Sequence, residues 1–265
     1  VLELLLVFPF FMVKNSFQYH HSGLSKFFSC QKDMFYRFME QDNIDWRKLV
    51  YLVSIRLLNR ISSRKNSKES LQCLIIDDTD LPKTGFKTEM IGRIYSHVLH
   101  KSVLGFKGLF LCHTDGKTQT LLDFSLHGEE GKNPEKKQGL TDKQRKARFS
   151  KKRYGDSAVN TRIKEYRQNK INRSIEMVRE SIRRGIRFDY LLVDSWFTCA
   201  DLLNFICSRH LKCHLIGMIK MGKTRYKTRF GNLNASDIID RLKKEKSVRY
   251  SRKLNCHYAY IDAEY

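Results

Sequence analysis

Asp77, Asp78 and Asp80 place three carboxylates within four residues at the end of an apolar run, Leu74-Ile75-Ile76. A second apolar run, residues 190–193, ends in Asp194. Hard divalent cations such as Mg²⁺ and Mn²⁺ prefer oxygen ligands and keep positions open for water and phosphate, so carboxylates from two strand ends suit them. Two such ions side by side could drive an in-line displacement at phosphorus, one activating the attacking oxygen and the other stabilising the leaving oxygen. Taken alone, residues 77–80 read equally well as a solvated turn. The pleat of a strand sends neighbouring side chains to opposite faces, so only one of Asp77 and Asp78 can line a site.

The charge balance fits that chemistry. Fifty Lys and Arg stand against 28 Asp and Glu, a formal charge of +22, which calls for a polyanionic partner. The basic residues are spread along the chain, which favours nucleic acid over a membrane surface. Residues 131–173 carry fifteen Lys or Arg and four acids. Residues 131–155 read as a mobile basic loop, with Lys143, Arg145, Lys146, Arg148, Lys151, Lys152 and Arg153 as candidate DNA contacts and Phe149 and Tyr154 interleaved among them. Arg162 and Arg167 join this set from the outward face of the following helix, beside Lys164, Lys170 and Arg173. Such a block repels itself unless phosphates neutralise it.

Other classes are excluded or weakened. The seven cysteines are scattered and form no C-x-x-C pair, so they read as reduced cytosolic thiols. Residues 1–13 are apolar but contain Glu3 and are too short to span a bilayer, so no membrane anchor is expected. His97, His100, His113 and His127 are read as structural rather than as metal ligands, because Mg²⁺ does not favour imidazole. Trp196 could stack on a base, but packing on the sheet is the simpler role.

The elements that must position the acids follow from periodicity. Residues 1–61 read as a small all-helical N-terminal domain, with one helix over 25–41 and another from Trp46 through Leu49, Val53 and Leu57 to Ile61. It can be a DNA reader or a packing module. Residues 62–70 read as a linker. A core over 71–220 begins with the acidic strand, followed by two strands flanking Asp115-Gly116 as a hairpin. One long helix, capped by Asp156-Ser157 and ending at Gly185, comes next. The strand ending in Asp194, a helix and a strand over 213–219 complete it. Residues 221–265 read as basic and β-rich. The order β, β, β, helix, β, helix, β is that of an α/β fold with a ribonuclease H-like mixed sheet flanked by helices. In such a sheet the first and fourth strands are parallel neighbours, so Asp78 and Asp194 can meet although 116 positions separate them.

Asp77-Asp78-Thr79 followed by Leu81-Pro82-Lys83-Thr84-Gly85 resembles the first-acid motif of the DDE transposases encoded by bacterial insertion sequences, in the group related to insertion sequence four. Tyr190-Leu191-Leu192-Val193-Asp194-Ser195-Trp196-Phe197 resembles their second-acid motif, and the resemblance covers roughly residues 71–220. It implies Mg²⁺- or Mn²⁺-dependent nicking at transposon ends and strand transfer by the freed 3′-hydroxyl. Double-stranded DNA, as terminal repeats and as target, would be the partner of a homodimer in the bacterial cytoplasm, at the nucleoid. By position, Asp78 matches the first metal-binding Asp and Asp194 the second, with Asp77 as a competitor of Asp78 for the metal. The family's third acid is a Glu in a helical Tyr, Arg, Glu, Lys pattern that has no match here. Glu264 lies in a strand-like stretch and does not fit, so the Glu is expected beyond Tyr265, residues 221–265 would start a truncated insertion, and the fragment would be inactive. The alternatives are a non-catalytic DNA-binding remnant and another ribonuclease H-like nuclease.

Overall fold

The structure, a computed structural model, describes residues 16–28, 32–64, 71–133, 135–153, 155–208 and 211–264. The apolar stretch 1–13, linker residues 65–70 and Tyr154 lie outside these. The chain divides into two units, residues 1–46 with 151–161, and residues 47–150 with 162–265.

The first unit contains α1 (Ser16–His21), a 3-10 turn (Gly23–Lys26) and α2 (Lys32–Met39). A single helix over 25–41 is therefore not formed. The Ser25 hydroxyl donates to the Ser22 carbonyl at 2.9 Å, a local bond that favours a turn over a continuing helix. Asp42 pairs with Lys151 at 3.6 Å and with Arg153, whose side chain is buried.

The second unit is built on a six-stranded mixed sheet. Its strands are β1 (Cys73–Pro82), β2 (Gly92–Ser96), β3 (Lys101–Thr114), β4 (Gln119–His127), β5 (Tyr190–Val193) and β6 (His214–Gly217), in the order β2-β3-β1-β5-β6 with β4 also on β3. β1 runs antiparallel to β3 and parallel to β5, and β5 is parallel to β6. This is the ribonuclease H-like arrangement expected from the element order. β-branched and other apolar residues make the central strands a buried layer: Leu74, Ile76, Leu109, Leu111, Leu191 and Val193 form one cluster. The Asp115-Gly116 hairpin is present, with Asp115 Oδ1 accepting the amides of Lys117 and Thr118 and Gly116 at φ +81°.

The helices are α3 (Trp46–Arg64), α4 (Asp142–Lys146), α5 (Ala158–Glu165), α6 (Lys170–Arg183) and α7 (Ala200–Cys207). Ile171, Met177 and Val178 of α6 and Leu202 and Ile206 of α7 cover the sheet. Within the same unit follow β7 (Arg225–Thr228), β8 (Gly231–Asn234), α8 (Ala235–Lys244), β9 (Arg249–Ser251), β10 (Cys256–Tyr258) and β11 (Ala263–Glu264), around a separate small cluster of Tyr226, Ile238 and Leu242.

Several expectations are corrected. The helix from Trp46 does not belong to a separate 1–61 domain, because Tyr51 lies in the main core and its hydroxyl is 3.1 Å from Ser181 Oγ. Its buried stripe is Arg47, Tyr51, Ser54 and Leu58, whereas Leu49, Val53 and Leu57 are exposed. The helix expected from 156 to 185 is two, broken at residues 166–169, where the Asn169 side chain caps α6 by accepting the Ile171 amide at 2.8 Å. Gly185 does end it, at φ +77°. β2 is an element that the periodicity does not predict.

Residues 131–150 are not a free loop. Thr141 and Gln144 form a capping box on α4, and the Phe149 amide donates to the Lys87 carbonyl at 3.0 Å. Gly128, just past β4, has no room for a side chain: a Cβ there would overlap the ring and hydroxyl of buried Tyr166. The Tyr166 hydroxyl also accepts from Gln138 Nε2 at 3.1 Å, so the ring cannot easily move. Gly128→Ala is expected to cost roughly 1–3 kcal/mol, read as a lower thermal midpoint.

Candidate active site

β1 does not stop before its acids. It continues to Pro82, so Asp77, Asp78 and Asp80 are strand residues, still paired to β3 as Asp77↔Phe110, Asp78↔Leu109 and Asp80↔Lys107. The pleat then fixes which way each points. Leu74 and Ile76 are buried in the cluster beneath α6, and Asp78 shares their face two residues on. Asp77 falls on the opposite face, and its Oδ1 accepts the Asp78 amide at 2.8 Å.

Asp194 follows the last residue of β5. The parallel register pairs Ile76 with Val193, so Asp194 leaves the sheet level with the acidic part of β1. Its Oδ1 accepts the amides of Trp196 (2.9 Å) and Phe197 (3.1 Å), and its carbonyl accepts the Thr198 hydroxyl at 2.9 Å. This turn holds one carboxylate oxygen in place and leaves the other for a cation.

Lys170, the first residue of α6, reaches Asp78 and the aromatic ring two residues after Asp194. Its Nζ is 2.6 Å from Asp78 Oδ2 and 4.0 Å from the centroid of the Trp196 ring. Trp196 is about half exposed and packs edge-on against buried Phe197 at 4.8 Å. Lys170 is thus not one of the outward-facing cations with which its spacing groups it. The signal for its true place is Asn169, a strong N-cap that starts a new helix and aims its first turn at the strand ends.

Asp80 pairs with Lys107 at 2.5 Å. Burial alone would raise its carboxyl, but bonds from Lys107 and Ser96 hold it below the usual range. The histidines serve structure. His127 is buried between Ser125 Oγ (2.7 Å) and the Gln168 carbonyl (3.2 Å), and burial pushes both His113 and His127 down, toward the neutral form.

The candidate DNA contacts separate into two sets. Lys143, Lys146, Lys152 and Arg167 are exposed. Arg145 pairs with Asp142, and Lys151 and Arg153 with Asp42. Arg148 is half-buried on neutral acceptors, the Ile91 carbonyl (3.1 Å) and the Gln138 side chain. Arg162 is not an outward contact: it lies 4.5 Å over the Phe124 ring, donates to the Phe124 carbonyl and pairs with Glu165 at 3.6 Å. Arg173 is likewise turned inward onto Asp123 at 2.9 Å.

The donor chemistry of Asp78 and Asp194 fits a hard divalent ion, and the ammonium already drawn to Asp78 marks a place where positive charge is stabilised. Among the described residues no group of three His, Cys, Asp or Glu is placed to hold a metal. Glu264 lies on β11, exposed, with Lys227 at 3.0 Å. Because an ammonium at salt-bridge distance opposes a second cation, Lys170→Met is expected to tighten Mn²⁺ binding, on the order of tenfold, by calorimetric titration.

No curated protein matches the sequence. A cryo-EM structure of the piggyBac transposase synaptic complex with hairpin DNA shows a weak likeness, with 19% identity and a TM-score of 0.29 over 57% of this chain and 23% of that chain. The chain therefore spans under a quarter of that protein. No helix among the described residues is long and apolar enough to cross a membrane. The family described as the DDE superfamily endonuclease matches residues 24–226, a stretch that includes both acid-bearing strands. The chain belongs to the DDE superfamily endonucleases.

Proposed function

We propose that this protein is a transposase of the insertion-sequence type, cutting DNA at transposon ends and joining the freed 3′-hydroxyl to target DNA. The observation that carries this reading is the placement of Asp78 on the α6 face of β1 and of Asp194 at the end of its parallel neighbour. Asp78 and Asp194 would hold Mg²⁺ or Mn²⁺, which neutralises phosphate charge and lowers the pKa of a bound water or hydroxyl. For this reaction the protein mainly positions and neutralises. The turn that fixes Asp194 orients one carboxylate, and Lys170 orients the other while opposing its charge. Exposed cations such as Lys143, Lys146, Lys152 and Arg167 would hold the duplex, and a homodimer on paired DNA ends, in the bacterial cytoplasm, is part of the same reading.

The test is nicking and joining of DNA carrying the element's terminal repeats, with Mg²⁺ or Mn²⁺ and with Asp78→Asn and Asp194→Asn as comparators. Cleavage that survives both substitutions would show the site to be elsewhere. A second reading, DNA binding without catalysis, is favoured by one observation: among the described residues Asp78 has an ammonium rather than a third carboxylate as its neighbour. It predicts metal-independent DNA binding and no nicking by the wild type.

A further inference from the structure

A cavity of about 750 Å³ opens in the second unit, lined by Lys132, Lys137, Arg145, Arg148 and Arg167, with Glu130 as its one carboxylate among the described residues. The loop that forms it is tightly curled. Gly131 and Gln138 have φ of +82° and +57°, and the Gln138 amide donates to the Glu130 carbonyl at 2.7 Å. Arg148 is fixed without being neutralised, since its bonds go to the Ile91 and Arg145 carbonyls and the Gln138 amide oxygen. Among the described residues Lys132, Lys137, Arg148 and Arg167 take part in no ion pair.

The cavity lies at the acid-bearing end of the sheet. β4 ends at His127 opposite Lys107, and Lys107 is opposite Asp80, two residues beyond Asp78 on the same face. The lining loop starts three residues after His127. From the other side, Arg167 precedes Lys170, which touches Asp78, by three residues. With Arg145 already on Asp142, the other four cations facing a single lining carboxylate call for an anion. Among the described residues no aromatic side chain lines the cavity, and the described lining offers no platform for an unstacked base. Its donors suit phosphate oxygens.

We propose that this cavity seats backbone phosphates of the DNA strand that enters the Asp78–Asp194 site. The inference rests on the DNA chemistry proposed above. Each cation that meets a phosphate releases condensed counterions and adds about 0.9 to the slope of log K against log salt.

The test is fluorescence anisotropy of a short fluorescein-labelled duplex over a salt series. It compares the full chain with Lys132→Gln/Lys137→Gln/Arg167→Gln and with an equal charge removal elsewhere, Lys117→Gln/Lys212→Gln/Lys253→Gln. All six side chains are exposed, and thermal melts verify that both variants fold. The cavity variant is expected to lose roughly tenfold or more in affinity and to flatten the salt slope by about 2–3, with the comparator close to wild type. Equal losses in the two variants, or no duplex binding by the wild type, would overturn the proposal. Nicking is read separately: a cavity-dependent slope together with nicking indifferent to Asp78→Asn and Asp194→Asn would leave the phosphate seat standing and remove the catalytic reading.

Discussion

Where the wild type nicks DNA, Asp78→Asn is expected to lower that metal-dependent activity on the order of a thousandfold while leaving duplex affinity within about twofold. The substitution keeps the shape of the side chain and its place on β1 but removes the charge that a divalent ion needs, and such an ion contributes several kcal/mol to the transition state. Asp194→Asn is expected to do the same. Its Oδ1 can still accept the Trp196 and Phe197 amides, so the turn after β5 survives and the loss is one of charge rather than of fold. Asp77→Asn should retain most activity, because Asp77 faces away from α6 and its bond to the Asp78 amide can be made by an amide oxygen.

The second large effect concerns the core. Asp123 has a fully buried side chain and takes Arg47 Nε at 2.8 Å on one oxygen and Arg173 Nη2 at 2.9 Å on the other. Arg47 in turn grips both Glu165 oxygens at 2.7 Å. A bulge in the β3–β4 ladder, between Leu111 and Cys112, lets the consecutive residues Leu122 and Asp123 both be buried. Asp123→Ala removes the fully buried carboxylate that Arg47 and Arg173 share, leaving Arg47 to Glu165 and Arg173 to Glu176, and is expected to destabilise the fold by about 3–5 kcal/mol, read by chemical denaturation. The same network sets a pH dependence. Burial would raise the Glu165 carboxyl, but Arg47 and the charges of Arg173 and Arg162 hold it below the usual range. Its contribution is therefore complete above the unfolded-state value, roughly pH 4.3, and is lost as the pH falls through the lower folded-state value.

The strands that carry the acids are legible in the chain itself, since short apolar runs are driven into the sheet by their side chains; Asp194 then follows the end of β5, whereas β1 runs on past its acids to Pro82, an extension that the carboxylates hide. Their neighbourhood also follows, because element order fixes which strands of such a sheet lie side by side. The face of α3 is illegible for a physical reason: its buried stripe contains Arg47 and Ser54, whose partners Asp123, Glu165 and the Leu121 carbonyl are far along the chain. Apolar spacing therefore points to Leu49, Val53 and Leu57, which are exposed. The break at residues 166–169 is hidden by apolar residues that keep helical spacing across it, although Asn169 signals a cap. Lys170 illustrates the limit most clearly. In the sequence it is one more cation in a basic block, and only the fold brings it to Asp78, 92 positions away.

Mn²⁺ titration followed by electron paramagnetic resonance tests most directly the proposed divalent-metal site of Asp78 and Asp194, to the exclusion of Asp77. Wild type and Asp77→Asn are predicted to bind Mn²⁺, and Asp78→Asn and Asp194→Asn to lose that binding. Undiminished binding by Asp78→Asn, or its loss in Asp77→Asn alone, would contradict the assignment.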